Sequence, residues 1–414
     1  MRKYCDKCGE VHEDMVVINY QNKAKICESC ILEMFCVIDD AIHKETRVNS
    51  NSPDKVDITA SIPSVDAIIK HLNKTIVGQV YAKETIAIAI RNHYKRMCME
   101  HETQKMVEKS NILLFGPSGS GKSALLKSVA EFIDTPLVIV DAYVYTTSGY
   151  VGSDVEDIIS ELYEKSGKNK AKTERGIVFL DEIDKKKKSR GNEGRVEPGG
   201  EQAQQAFLKL VEGKEVTIDK KVTIDTSNIL FIAGGAFVGL SEIVGDRNTP
   251  DTIGFVDDSI DPSKILENAY ANVTTEDLIT FGMIPEFVGR FPVITYTKEL
   301  TKEEIVEIIK TTDNSIVNQY KELLAMSDDL ELYVTSPAIE TIAEMVIKDK
   351  IGVRGIRKVF ENILHDVQRD AESIKRSGGK KIVINKSVIT EGKSPSIEHS
   401  DGKGLKRTPV KRKL

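Results

Sequence analysis

Two stretches of this chain combine residue types and spacings suited to chemistry on a phosphate chain. The first is GPSGSGKSA, in which Gly116, Pro117, Ser118, Gly119, Ser120, Gly121, Lys122, Ser123 and Ala124 fit the pattern G-x-x-x-x-G-K-[ST]. Glycines let such a loop curl tightly and turn its backbone N–H groups onto phosphate oxygens. A helix starting there adds its positive end. Lys122 supplies a point charge to the β- and γ-phosphates, and the Ser123 hydroxyl can ligate Mg²⁺. The second stretch is GIVFLDEIDK, an apolar run that ends in carboxylates. Asp181 is placed to hold Mg²⁺, directly or through water, and Glu182 to polarise the attacking water. The two stretches together point to ATP hydrolysis with Mg²⁺.

A third cluster is built from cysteines. Five of the six lie in the first 36 residues, and four form the pairs Cys5-x-x-Cys8 and Cys27-x-x-Cys30. Eighteen residues separate the pairs, a spacing suited to one tetrahedral Zn²⁺ held by four thiolates. Metal would supply the folding energy that a unit of about 40 residues cannot draw from its own core. His12 is a competing ligand that four cysteines make unnecessary, and Cys36 is read as packed.

The elements that must position these groups follow from hydrophobic patterning. The runs NILLFG, PLVIVDA, GIVFLDE and NILFIAGGA alternate with helix-like segments, the rhythm of a parallel sheet covered by helices. The phosphate loop then lies between a strand and a helix, as its chemistry requires. The stretch 46–62 is polar and reads as a linker. Beyond Pro292 the pattern turns helical. TKEEIVEIIKTTDNSIVNQYKELLAM reads as one long amphipathic helix with a capping box at Thr301, SPAIETIAEMVIKD as a second and GVRGIRKVFENILHDVQRDAESI as a third, closed by strand-like KKIVINKSVIT. The expected domains are a zinc-binding unit over 1–45, a linker over 46–62, a large nucleotide-binding domain over 63–292, a small helical domain over 293–390, and a basic disordered tail over 391–414.

Composition narrows the class. The chain has 414 residues, 40% of them hydrophobic and 29% charged, with a net charge of −6. That balance gives no global reason to expect nucleic-acid binding. No apolar run approaches the roughly 20 residues of a membrane span, and MRKYCDKCGE lacks a signal-peptide core. The expected location is cytoplasmic.

With these motifs placed, the chain resembles the ClpX family, the AAA+ protein-unfolding ATPases of the Clp protease, over nearly its whole length. IVGQVYAKETIAIAIRNHYKRM resembles the family's adenine-flanking segment, which implies Ile76, Val77 and Tyr94 near the base. TTSGYVGSDVEDII is similar to its first pore loop, with Tyr150 and Val151 at the tip. IPEFVGRFPVI resembles the segment with the arginine finger, here Arg290, and GVRGIRKVFENIL resembles the sensor-2 helix, with Arg354 facing the nucleotide. TPDTIGFVDD contains Ile253, Gly254 and Phe255, similar to the tripeptide that docks on the ClpP peptidase. The resemblance implies an α/β AAA+ P-loop fold with a small helical C-terminal domain and an N-terminal zinc-binding domain. It also implies a homohexamer, because a finger acting in trans needs a neighbour, and it implies protein substrates and adaptors.

Two loops depart from the family. After KLVEGKEVTI only DKKVTIDT follows, where the family usually carries a longer Arg-Lys-His loop at the pore entrance, and RGNEGRVEPGGEQ differs from the second pore loop. NILFIAGGAF ends in glycines where many AAA+ proteins place a polar sensor-1 residue, so no residue is assigned that role. The expected activity is a peptidase-coupled unfoldase. The alternatives are a peptidase-independent remodelling chaperone with altered substrate choice and, ranked below both, a nucleic-acid motor.

Overall fold

The computed structural model describes residues 15–18, 24–27, 62–99, 101–146, 153–187, 198–218, 221–248, 269–311, 315–349, 352–399 and 408–409. Cys5, Cys8, Cys30, Tyr150, Val151, Ile253, Gly254 and Phe255 lie outside these residues. The chain divides into two units, Met1–Ile58 and Thr59–Leu414.

In the first unit, β1 (Met15–Ile18) and β2 (Ala24–Cys27) form an antiparallel hairpin with Met15 opposite Cys27. The chain leading back to Cys8 and the chain leading on to Cys30 therefore leave from the same end of the hairpin.

The second unit opens with α1 (Val65–Thr75) and α2 (Val80–Met97). These lead into β3 (Ile112–Phe115), α3 (Lys122–Phe132), β4 (Leu137–Asp141) and β5 (Ile177–Asp181). Next come α4 (Pro198–Glu212), β6 (Leu230–Gly235), the short α5 (Pro285–Gly289) and β7 (Val293–Tyr296). The five strands form one sheet in the order β7-β3-β6-β5-β4, and every neighbouring pair is parallel. Strand period two explains the near-continuous apolar runs. Leu113, Phe115, Val178 and Leu180 pack into the core on one face, while Ile112, Leu114, Ile177 and Phe179 pack into the core on the other.

The boundary expected at Pro292 falls later. β7 pairs with β3 as the sheet's edge strand, and Thr297 still accepts a place in it, donating its backbone N–H to Phe115 O at 2.8 Å. A four-residue apolar stretch such as VITY, at a change of pattern, carries no mark of which sheet it joins.

After it come α6 (Lys302–Thr311), α7 (Ile316–Asp328), β8 (Glu331–Val334), α8 (Ser336–Lys348), α9 (Arg354–Arg369), β9 (Gly379–Ile384) and β10 (Ser396–His399). These share a separate core around Ile342, Phe360 and Leu364. The single long helix expected over 301–326 is two helices, since Ser315 caps α7 by accepting the Asn318 N–H at 3.1 Å. The expected disordered tail also starts too early. β10 pairs antiparallel with β9, and Ile397 is buried in the small core. One inward isoleucine in a polar stretch is a weak compositional signal, but it suffices when the neighbouring strand offers an open edge.

Candidate nucleotide site

The carboxyl ends of β3, β5 and β6 converge, as open α/β sheets bring ligand loops together. Register places Phe115 beside Gly235, and Gly116 N–H donates to Gly235 O at 3.1 Å. The loop that follows β3 curls around the Lys122 ammonium, which donates to Gly116 O at 2.6 Å and Pro117 O at 3.1 Å. Gly116 sits at φ +146°, and a Cβ there would stand 2.0 Å from Thr297 Oγ1, so only glycine fits. The Ser120 hydroxyl meets Thr297 Oγ1 at 2.6 Å. Gln79 ties the loop to the segment just after β7: its amide donates to Ser120 O at 3.2 Å and Lys298 O at 2.9 Å and accepts Lys298 N–H at 2.9 Å.

A cleft of about 640 Å³ lies over this loop. Its floor is the loop from Ser118 to Ala124, together with Asp181 and Glu182. One wall is Ile76 and Val77, from the turn between α1 and α2. The other is Leu300, Ile308, Ile316, Val353, Arg354 and Arg357, contributed by the chain beyond β7. The walls meet at the loop itself. Val353 N–H donates to Gly119 O at 3.3 Å, and a Cβ on Gly352 would stand 2.8 Å from that same oxygen. Gly116 and Pro117 are not among the lining residues and serve the loop from behind through their carbonyls.

The electrostatics suit a polyanion. Burial lowers the Lys122 pKa, against the opposing pull of Asp181, Asp184 and Glu182, and Arg354 adds a further positive charge nearby. Burial raises the Asp181 carboxyl, with Lys122 pulling it back. Ser123 Oγ donates to Asp181 Oδ2 at 3.5 Å, so a hydroxyl and a carboxylate face one another as a hard-oxygen pair fit for Mg²⁺. Glu182 follows in left-handed backbone at φ 58°. That conformation costs a non-glycine residue about 1 kcal/mol and is often found at working sites. Its Oε2 pairs with Lys185 Nζ at 2.5 Å.

The structure brings together Ile76, Val77, the loop, Asp181, Glu182 and Arg354. It does not bring Tyr94 to them. Tyr94 lies 14 residues beyond Val80 on α2, about 21 Å along the axis at 1.5 Å per residue. It is absent from the cleft lining, its hydroxyl donates to Arg175 O at 3.0 Å and meets Thr135 Oγ1 at 3.0 Å, and burial pushes its pKa up to about 12. The expectation that Tyr94 flanks the base is therefore corrected. Ile308 and Ile316, which sequence reasoning passed over, occupy the apolar wall facing Ile76 and Val77; their only signal was apolar spacing on either side of the α6–α7 break.

Arg290 also lies away from the cleft. It caps the end of α5, and its Nε and Nη2 donate to Glu212 Oε1 at 3.0 and 2.7 Å. Its side chain is half exposed.

Known proteins are similar to this chain in sequence. Residues 107–294 match the AAA domain (Cdc48 subfamily) model. The ATP-dependent Clp protease ATP-binding subunit ClpX of Treponema denticola is 38% identical over 362 residues, covering 84% of this chain and 86% of the relative. The ClpX subunits of Borrelia duttonii and Borrelia recurrentis are each 36% identical over 409 residues, covering 95% of this chain and 92% of theirs. With a phosphate loop, an acidic strand end and a small-domain arginine gathered at one cleft, and relatives matched over most of their length, this chain is an AAA+ ATPase and belongs to the ClpX family.

Proposed function

We propose that the chain is an ATP-driven protein unfoldase that works as a homohexamer, threads substrates through a central pore and delivers them to a ClpP-like peptidase. The observation that carries this reading is the two-walled cleft. Nucleotide bound there touches both the sheet and the small helical part, so hydrolysis can change the angle between them and move whatever the ring holds. Lys122, the loop N–H groups and Arg354 hold the phosphates, and the apolar wall from Ile76 to Ile316 takes the base. Ser123 and Asp181 would hold Mg²⁺, which would neutralise charge on the phosphate oxygens. Glu182 accepts the proton of the attacking water. Arg290 leaves Glu212 and completes the next subunit's site. Tyr150 and Val151 grip the substrate, and Ile253, Gly254 and Phe255 dock on the peptidase as an apolar knob.

Combining the purified chain with ATP, a peptidase partner and a folded reporter bearing unstructured tags tests the proposal. Degradation is expected. A reporter left folded with ATP being consumed would contradict it. Unfolding without degradation supports the second reading, a peptidase-independent remodeller. One feature of the fold favours that reading's altered substrate choice: Glu215–Ile218 and Val222–Asp225 form a tight hairpin with Ile218 opposite Val222, which leaves no room for a long guard loop between them. ATPase activity stimulated only by DNA or RNA would favour a nucleic-acid motor.

Zn²⁺ belongs to the proposal as well. The donor set fits, with two C-x-x-C pairs whose flanking chains leave one end of the β1–β2 hairpin. Cys5, Cys8, Cys27 and Cys30 are its four thiolate ligands, in a unit proposed to receive adaptors. Chelation is expected to release one zinc per chain and unfold residues 1–45, seen as loss of protease resistance there. A unit that contains no zinc by metal analysis and stays folded in chelator would refute it.

A further inference from the structure

The strand next to the acidic one ends without a polar side chain. β6 ends in Gly234 and Gly235 and runs into Ala236, which lines the cleft. The space beside Gly235 is filled from elsewhere. A Cβ built on Gly235 would stand 2.0 Å from Asp184 Oδ1 and 2.7 Å from its Cγ, well inside van der Waals contact. The Asp184 carboxylate thus occupies the volume that a side chain on β6 would take. It is fixed there, because its Oδ2 accepts the Phe237 N–H at 3.0 Å. It also lines the cleft beside Lys122, Glu182 and Ala236. The 3₁₀ turn Ile183–Lys186 that carries it begins immediately after Glu182, so the two carboxylates are set by one short rigid element.

We propose that Asp184 is the water-positioning residue of this ATPase, doing from the acidic turn what β6 has no side chain to do. Oδ2 is committed to the Phe237 N–H, and Oδ1 accepts one O–H of the attacking water while Glu182 faces the other. In the reaction the water oxygen bonds to the γ-phosphorus and its proton passes to Glu182. The bond from that phosphorus to the bridging oxygen breaks, and its electron pair stays on ADP. Asp184 gains and loses no proton; it fixes the line of attack. Gly235 is then required as the residue that leaves Asp184 its space.

The inference rests on the proposed placement of the phosphates, and the test separates the two. Asp184→Asn keeps the size of the side chain and, with its carbonyl turned to the Phe237 N–H, keeps the brace; its amide then offers the water a donor in place of an acceptor. The expected result is a fall in kcat of about 100-fold, the loss typical of one preorganised hydrogen bond. Affinity for a non-hydrolysable ATP analogue and thermal midpoint should stay near wild type. Asp184→Ala should lose at least as much. Adding Gly235→Asn to Asp184→Ala returns a polar side chain from the strand, with the remaining Cβ at 3.2 Å, and is expected to recover about tenfold of kcat, part of that same hydrogen-bond contribution. A merely structural brace predicts neither the loss in Asp184→Asn nor the recovery in the double variant. Wild-type kcat in Asp184→Asn, or a double variant no faster than Asp184→Ala, overturns the inference. Lys122→Ala, measured beside them for analogue binding, tests the phosphate placement by itself. Unchanged affinity there defeats the placement and Asp184's role with it, whereas weakened affinity beside a normal Asp184→Asn defeats the role alone.

Discussion

Glu182→Gln is expected to bind ATP as the wild type does and to hydrolyse it about a thousandfold more slowly, within the range that a positioned general base contributes. The groups proposed to hold the phosphates are untouched by the change: Lys122 stays in its loop, and Arg354 stays at the start of α9. Glutamine has the shape of glutamate but cannot take a proton from water. The exchange also removes the ion pair with Lys185, whose partners are 54% and 40% exposed; a pair so open to solvent contributes little to stability. The loss should therefore appear in turnover, read by phosphate release, with nucleotide affinity read separately by equilibrium binding. Turnover within a few-fold of wild type would remove Glu182 from the chemistry.

Arg290→Ala is the second large effect. Within one chain Arg290 does nothing for the cleft and pairs with Glu212. Its removal should leave folding within about 1 kcal/mol of wild type, the worth of an exposed pair. Turnover should fall about 10³-fold, the low end for an arginine supplied by a neighbour. The size of this contrast decides the question. A surface salt bridge predicts a small change in both measurements, whereas a group acting in trans predicts a large change in one. Near-wild-type hydrolysis by assembled Arg290→Ala would assign the arginine to surface structure.

These expectations draw on parts of the chain that were unequally legible. The phosphate loop and the acidic strand end could be read directly, because the chemistry itself fixes their residue types at short range. A loop that wraps phosphate needs glycine at φ values other residues avoid, and Gly116 and Gly121 adopt such values. The parallel sheet followed from apolar runs too short for helices. What failed depended on distance or direction. Tyr94 was read from a sequence segment, but helical rise carried it four turns away from Ile76 and Val77. β7 and β10 are short strands whose sheet membership is settled by an open edge, which no local pattern reveals. The break between α6 and α7 hung on one cap, Ser315. Ile308 and Ile316 pack against a second core, and with Arg357 they line the nucleotide cleft from the far side of the Val353–Gly119 hydrogen bond. Asp184 was visible in the sequence as the third acid of DEID, yet its meaning lies in the space Gly235 leaves, a relation between a turn and a strand that the chain order hides.

The central claim is that each ATP site is completed by a neighbouring copy. Mixing Glu182→Gln chains with Arg290→Ala chains tests this most directly. In a mixed ring, an Arg290→Ala subunit supplies an intact loop and Glu182, and a Glu182→Gln neighbour supplies the missing arginine. Phosphate release by the mixture is expected to rise well above that of either variant alone, peaking near equal proportions. Activity that never exceeds the weighted sum of the two variants, in rings shown to contain both, would contradict the account.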